Sequence, residues 1–232
     1  MDCSILGQAH GANAVCARAK EKFVPQLFGR DLQSGDILLQ VNTGTVVQQA
    51  IRLGQKAMGS GNEELIHAGI LFDNRYLIES AGKGIGAADI YLQDKPYAYQ
   101  VYRASNPALA GGAATCAKIF MDIHARTGGM PYSVKGAVAS IFKTSGAALS
   151  RDQMEVAFDE LISDKRGGGK NHPFFCSQFV VFIFQFVAEQ NNIAGGKVFP
   201  FKDGSVPPGV LASNLKTNPL FREAGYMLAN QR

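Results

Sequence analysis

The chain has no tryptophan, four cysteines in 232 residues, and 18% charged residues. Cys3, Cys16, Cys116 and Cys176 lie far apart with no paired spacing. They support neither a disulfide framework nor a zinc site, and they read as free thiols of a reducing compartment. No apolar run approaches the ~20 residues of a membrane-spanning helix, so stable membrane insertion is not expected. The opening residues Met1-Asp2-Cys3-Ser4 lack a basic region followed by an apolar segment. No signal peptide is therefore read, and synthesis in the cytoplasm is expected. Net charge is only +4, from scattered basic residues, too little to argue for a nucleic-acid partner. Repeats, low-complexity tracts and linker-like breaks are absent too, and residues 1–232 read as one domain with a core at 34–215.

What is present is apolar, at 46% of residues, and patterned. Residues 8–28 predict a helix closed by Pro25 and Gly29. Ile37 to Val41 reads as a buried strand, residues 45–58 as a helix, and residues 82–86 as a glycine-rich loop. Two apolar runs around Asp73-Asn74-Arg75 predict a β-hairpin, Leu65–Phe72 against a strand beginning at Tyr76. Residues 97–102 alternate as another strand. Helices follow at 108–127, 134–142 and 151–164, then a polar loop at 165–171 expected to be mobile and to gate the site. Behind it, residues 179–188 form a helix apolar on nearly every side, the mark of a buried element. The tail is expected to be an irregular wrap with a short helix at 211–215. Early strands followed by helices make the fold class α+β.

The apolar helix opens at His172-Pro173-Phe174-Phe175-Cys176-Ser177-Gln178. Cys176 falls in its first turn, where free N–H groups and the helix dipole favour an anion and a nucleophilic thiol. The plainer reading is a core cysteine. A nucleophile needs a base, and His67 is the best of four histidines: it interrupts an apolar strand, where an imidazole calls for a partner. His10 lies near the chain start, His124 within an ordinary helix, and His172 before a proline. Glu79 is a second polar interruption, on the next strand. A three-residue turn at 73–75 sets Phe72 opposite Tyr76 and brings His67 and Glu79 to one sheet face as diagonal neighbours. An even-length turn would separate them. Small Ala68 and Gly69 leave room beside His67 for another element to pack close.

The succession Gly35-Asp36-Ile37-Leu38-Leu39, Ile66-His67-Ala68-Gly69-Ile70, Leu77-Ile78-Glu79-Ser80 and Phe175-Cys176-Ser177-Gln178-Phe179-Val180 resembles the circularly permuted papain-like hydrolases of the NlpC superfamily. Gly129-Met130-Pro131-Tyr132-Ser133 and the segment from Pro207 to Ser213 are similar to further motifs of that group. Phe175 stands where the family has tyrosine, and Gln178 where it has an acidic residue. The resemblance implies a central antiparallel sheet packed on the cysteine-bearing helix. It also implies a triad of Cys176 as nucleophile, His67 as base and Glu79 as orienting group, with no cofactor or metal. Tyr132, Asp36 and Gln178 become candidates for the oxyanion or substrate site, although Asp36 also reads simply as a turn residue. The implied reaction is hydrolysis of an amide through a thioester, on peptidoglycan peptides by a secreted bacterial effector. Such an effector implies a secretion apparatus and an immunity or chaperone protein as partners, and delivery to a periplasm or a target cell. Alternatives are a host-directed protease of ubiquitin-like linkages, acyl transfer as in lecithin:retinol acyltransferase-like relatives, and a papain-like binding shell without activity.

Overall fold

The structure is a computed structural model that describes residues 25–41, 65–81, 84–93, 97–127, 175–201 and 206–229. The expected helices at 45–58, 134–142 and 151–164, the loop at 165–171, His10, Tyr132, His172 and Pro173 lie outside the described residues. Seven strands form one sheet: β1 (Gln26–Leu27), β2 (Ile37–Val41), β3 (Leu65–Phe72), β4 (Tyr76–Ala81), β5 (Gly84–Asp89), β6 (Ala98–Ala104) and β7 (Phe221–Leu228). Their order is β1-β7-β6-β2-β3-β4-β5. The short β1–β7 pair is parallel and every other pair is antiparallel. Three α-helices are described: α1 (Pro107–Thr127), α2 (Phe175–Gln190) and α3 (Pro208–Thr217). The α+β class holds.

The hairpin β3–β4 follows the predicted register. Asp73 and Asn74 take the left-handed conformation, at φ 53° and 43°, which Asp and Asn tolerate best after glycine. The ladder then pairs Phe72 with Tyr76, Leu71 with Leu77 and Ile70 with Ile78. The room left by Gly69 is taken within the hairpin itself. A Cβ there would lie 2.8 Å from Leu77 Cδ1 and 2.9 Å from the Ile78 carbonyl oxygen.

Alternation divides the sheet between two apolar layers. Ile37, Leu39, Ile70 and Ile78 pack with Phe120 of α1 and Phe179, Ile183 and Phe184 of α2. Leu38, Leu71, Leu77, Tyr99, Val101 and Met227 form a second layer with Leu32 and Ile90. Helix α1 starts where Asn106 Oδ1 accepts the backbone N–H groups of Ala108 and Leu109 at 2.9 and 3.2 Å, an N-cap bond in the expected sense. It crosses α2 closely, since a Cβ on Gly112 would sit 2.6 Å from Val187 Cγ1.

Three sequence expectations are corrected. Gln26 and Leu27, placed at the end of a helix over 8–28, are a strand beside β7. The glycine-rich stretch 82–86 is no loop from Gly84 onward: it pairs with β4 from Ala81↔Gly84 to Tyr76↔Asp89. Gly84 is needed there, at φ 105°, because the His124 ring occupies the place of a Cβ. The tail is no irregular wrap either. Helix α3 is longer than expected and β7 pairs along β6 from Ala98↔Leu228 to Ala104↔Phe221.

Asp36 opens β2 as a structural anchor. Its carboxylate receives Arg103 Nε at 2.7 Å and Nη2 at 2.7 Å, and the Gln33 backbone N–H at 2.8 Å. Arg103 also donates to the Asp31 carbonyl at 2.8 Å. Asp36 is 1% exposed, so its loss leaves a guanidinium without its anion. Asp36→Ala is expected to destabilise the protein by about 3 kcal/mol, as for other broken buried pairs. Urea unfolding checks this, and a change below about 1 kcal/mol, the range of a surface pair, would contradict it.

Candidate active site

The site is built where β3, β4 and the first turn of α2 converge. His67 Nε2 lies 2.8 Å from Glu79 Oε2. The two side chains are 20% and 23% exposed, dry enough for the bond to be stronger than a surface pair. The predicted diagonal contact is therefore present. Cys176 belongs to the same constellation: its side chain is close enough to the His67 ring to bear on the ring's charge. With Nε2 held by Glu79, Nδ1 is the ring nitrogen left for the sulfur.

Burial opposes a charge on His67. The charge and hydrogen bond of Cys176, joined by the hydrogen bond and charge of Glu79, outweigh it and hold the imidazole pKa well above the ordinary value. The imidazole is thus placed between a thiol and a carboxylate, an arrangement that cysteine–histidine chemistry can use. Cys176 itself is 3% exposed. Its helix is fixed at this end by Ser177, whose hydroxyl donates to the Val206 carbonyl just before α3.

The other candidates are not gathered with this pair. Asp36 pairs through its neighbour Ile37 with Ile70, whereas Gln40 is opposite His67. That separation along β2 is about 13 Å at ~3.3 Å per residue. Its carboxylate is also engaged by Arg103, so the turn-residue reading describes it. Gln178 is half-buried and lies two residues beyond Cys176, about 200° round the helix. Tyr132 lies outside the described residues. No group of three or more His, Cys, Asp or Glu side chains placed to hold a metal ion occurs among the described residues.

Two residues beside the pair went unnoticed in the sequence. Gln40 of β2 is the direct cross-strand partner of His67, and Tyr99 of β6 is the partner of Gln40. Burial, with the negative charge of Glu79, pushes the Tyr99 phenol pKa up, so it keeps its proton. A β-bulge between Gln40 and Val41 breaks the β2–β3 register beside His67, and bulges commonly re-aim side chains next to active sites. The signal for Gln40 was the same as for His67, a polar residue interrupting Ile37-Leu38-Leu39-Gln40-Val41.

Comparisons of the chain with protein-family models, with curated proteins and with solved structures give no match.

Because the folded pKa of His67 is raised, the folded state binds the proton more tightly than the unfolded one. The stability this contributes is complete below the ordinary imidazole pKa of ~6.5 and is lost as pH rises through the raised value. Wild type should therefore lose stability relative to His67→Ala across that window, measured by urea unfolding at a series of pH values. Glu79→Gln should lower the His67 titration midpoint seen by NMR. An unchanged midpoint would detach Glu79 from the imidazole.

Proposed function

We propose that the chain is a cysteine hydrolase that cleaves an amide bond through a thioester acyl-enzyme. The observation that carries this reading is one imidazole engaged by both Glu79, at 2.8 Å, and Cys176. In the proposed cycle His67 holds the thiol proton and the Cys176 thiolate attacks the carbonyl carbon. His67 then protonates the leaving amine, and water activated by the same imidazole releases the acyl group. Glu79 fixes the ring tautomer and stabilises its cationic form. The Cys176 backbone N–H, in the first turn of α2, is one oxyanion donor, contributing on the order of 3 kcal/mol if typical.

The motif order, running from Gly35-Asp36-Ile37 through His67 and Glu79 to Cys176, supports membership of the permuted papain-like NlpC group, with a peptidoglycan peptide as substrate and a bacterial secreted effector as its setting. A sheet packed on the cysteine-bearing helix agrees with that assignment. One observation favours the papain-like binding shell. That reading expects Cys176 to be buried or far from His67, and Cys176 is 3% exposed although it lies beside the imidazole.

Thiol labelling separates the two. Iodoacetamide near neutral pH should modify Cys176 stoichiometrically in wild type and not in His67→Ala. Cys116 serves as an internal control, since full burial pushes its thiol pKa far up. Peptide mass mapping assigns the label, and an unlabelled Cys176 would favour the binding shell. Purified protein incubated with peptidoglycan fragments should release new amine and carboxyl termini, read by product mass spectrometry. Phospholipid and ubiquitin-conjugate incubations test the other substrates. Cys176→Ala should abolish turnover while leaving the thermal midpoint nearly unchanged, because only a sulfur atom is removed. A fully active Cys176→Ala would end the proposal.

A further inference from the structure

Antiparallel pairing leaves every second residue of an edge strand with its N–H and C=O turned away from the sheet. β5 is such an edge, and among the described residues its strand partner is β4 alone. The Ile90 N–H donates to the Arg75 carbonyl at 3.0 Å. That bond makes Asp89↔Tyr76 a non-hydrogen-bonded pair and sets the phase of the ladder. Gly84, Gly86 and Ala88 therefore bond β4, whereas Ile85 and Ala87 turn their N–H and C=O groups outward. We infer that this edge binds an extended peptide, which joins the sheet as an eighth strand. The inference goes beyond the hydrolase reading, which concerns Cys176 and His67, and does not depend on it.

Nothing in β5 guards the edge. Gly84 to Ala88 include neither a charge nor a proline. The β4–β5 ladder also runs from Tyr76↔Asp89 to Ala81↔Gly84 without a bulge, so the usual devices that blunt an edge are missing. Asp89 is the first charge, and Arg75 holds its carboxylate at 2.7 Å. Gly86 and Ala87 are exposed, and a Cβ on Gly86 would meet no atom within 4 Å. Outward N–H and C=O groups at strand spacing are complementary to the backbone of another extended chain. A second copy of this protein is a poor occupant. A stable pair buries about 1,200 Å² or more, and a six-residue strand of small side chains, its isoleucine already buried, offers far less. A peptide brings its own side chains and needs only the main-chain bonds. The opposite edge, β1, is two residues long and too short for this use. Gly86 stands directly opposite Glu79, and β5 lies two strands from His67, about 10 Å across the sheet. The peptide would thus run alongside the candidate active site.

Amide hydrogen exchange read by NMR tests the edge in the full chain carrying Cys176→Ala, which cannot consume a peptide through the sulfur. The probe is the all-L heptapeptide Lys-Thr-Val-Thr-Val-Thr-Lys, a good strand former. In the free protein the Gly86 and Ala88 amides should be protected by β4, while those of Ile85 and Ala87 exchange freely. Saturating peptide should slow exchange at Ile85 and Ala87 roughly tenfold or more. The same sequence built from N-methyl residues, which cannot donate, should give no protection. Ala87→Pro removes one outward N–H and leaves the β4 bonds in place, a substitution that edge strands accept. It should weaken peptide binding about tenfold, the loss of one main-chain hydrogen bond, with Gly86 and Ala88 still protected as evidence of an intact ladder. Unaltered exchange at Ile85 and Ala87 under saturating peptide would overturn the inference, as would equal affinity in Ala87→Pro. Protection of those two amides without peptide, rising with protein concentration, would give the edge to a second copy and overturn it too. Failure of Cys176 to label with iodoacetamide would sink the hydrolase reading and leave these outcomes untouched.

Discussion

The His67–Glu79 bond is the constraint on which the site depends. An imidazole set into an apolar strand loses its water, and that loss must be offset by a partner within the protein. Glu79 provides it from the adjacent strand at 2.8 Å. A carboxylate in that position fixes which ring nitrogen faces the rest of the molecule, and so defines the geometry open to the sulfur. The tautomer of the ring, and part of its charge, follow from that hydrogen bond.

The rest of the sheet keeps that bond in place. β3 lies between β2 and β4, and β4 is sheltered by β5. The ring is therefore held on strands with neighbours on both sides. Asp36 and Arg103 tie the start of β2 to β6, at the end of the strand away from Gln40. Behind the sheet, α2 is fixed at both ends. Ser177 bonds Val206 near its start, and Gln185 accepts the backbone N–H groups of Val198 and Phe199 beyond its end. A cysteine carried by a helix so tied has little freedom to drift from the imidazole.

The hairpin and the cysteine helix were legible because each depends on local rules. Turn residues set the β3–β4 register, and an all-apolar run marked α2. His67 and Glu79 stood out because polar residues in such runs need an explanation. The elements that were missed depend on distant partners. Gly84–Asp89 has the composition of a loop, yet the backbone of β4 makes it a strand, a tertiary override of weak β-propensity. β7 was hidden for a similar reason: its register shifts beside Val101 and Tyr102, and it includes Gly225. Gln40 carried a visible signal, but its meaning required knowing that β2 pairs with β3, which separation in the sequence concealed.

β7 is the last strand of the sheet to be synthesised, yet it is inserted between β1 and β6. While it is still within the ribosome, the edge of β6 is left with unpaired backbone groups, an invitation to intermolecular pairing. The cysteine helix also emerges long after the strand bearing His67. Order of emergence thus keeps sulfur and imidazole apart for most of translation, and the nascent chain passes through an interval in which exposure to aggregation precedes the meeting of these two side chains.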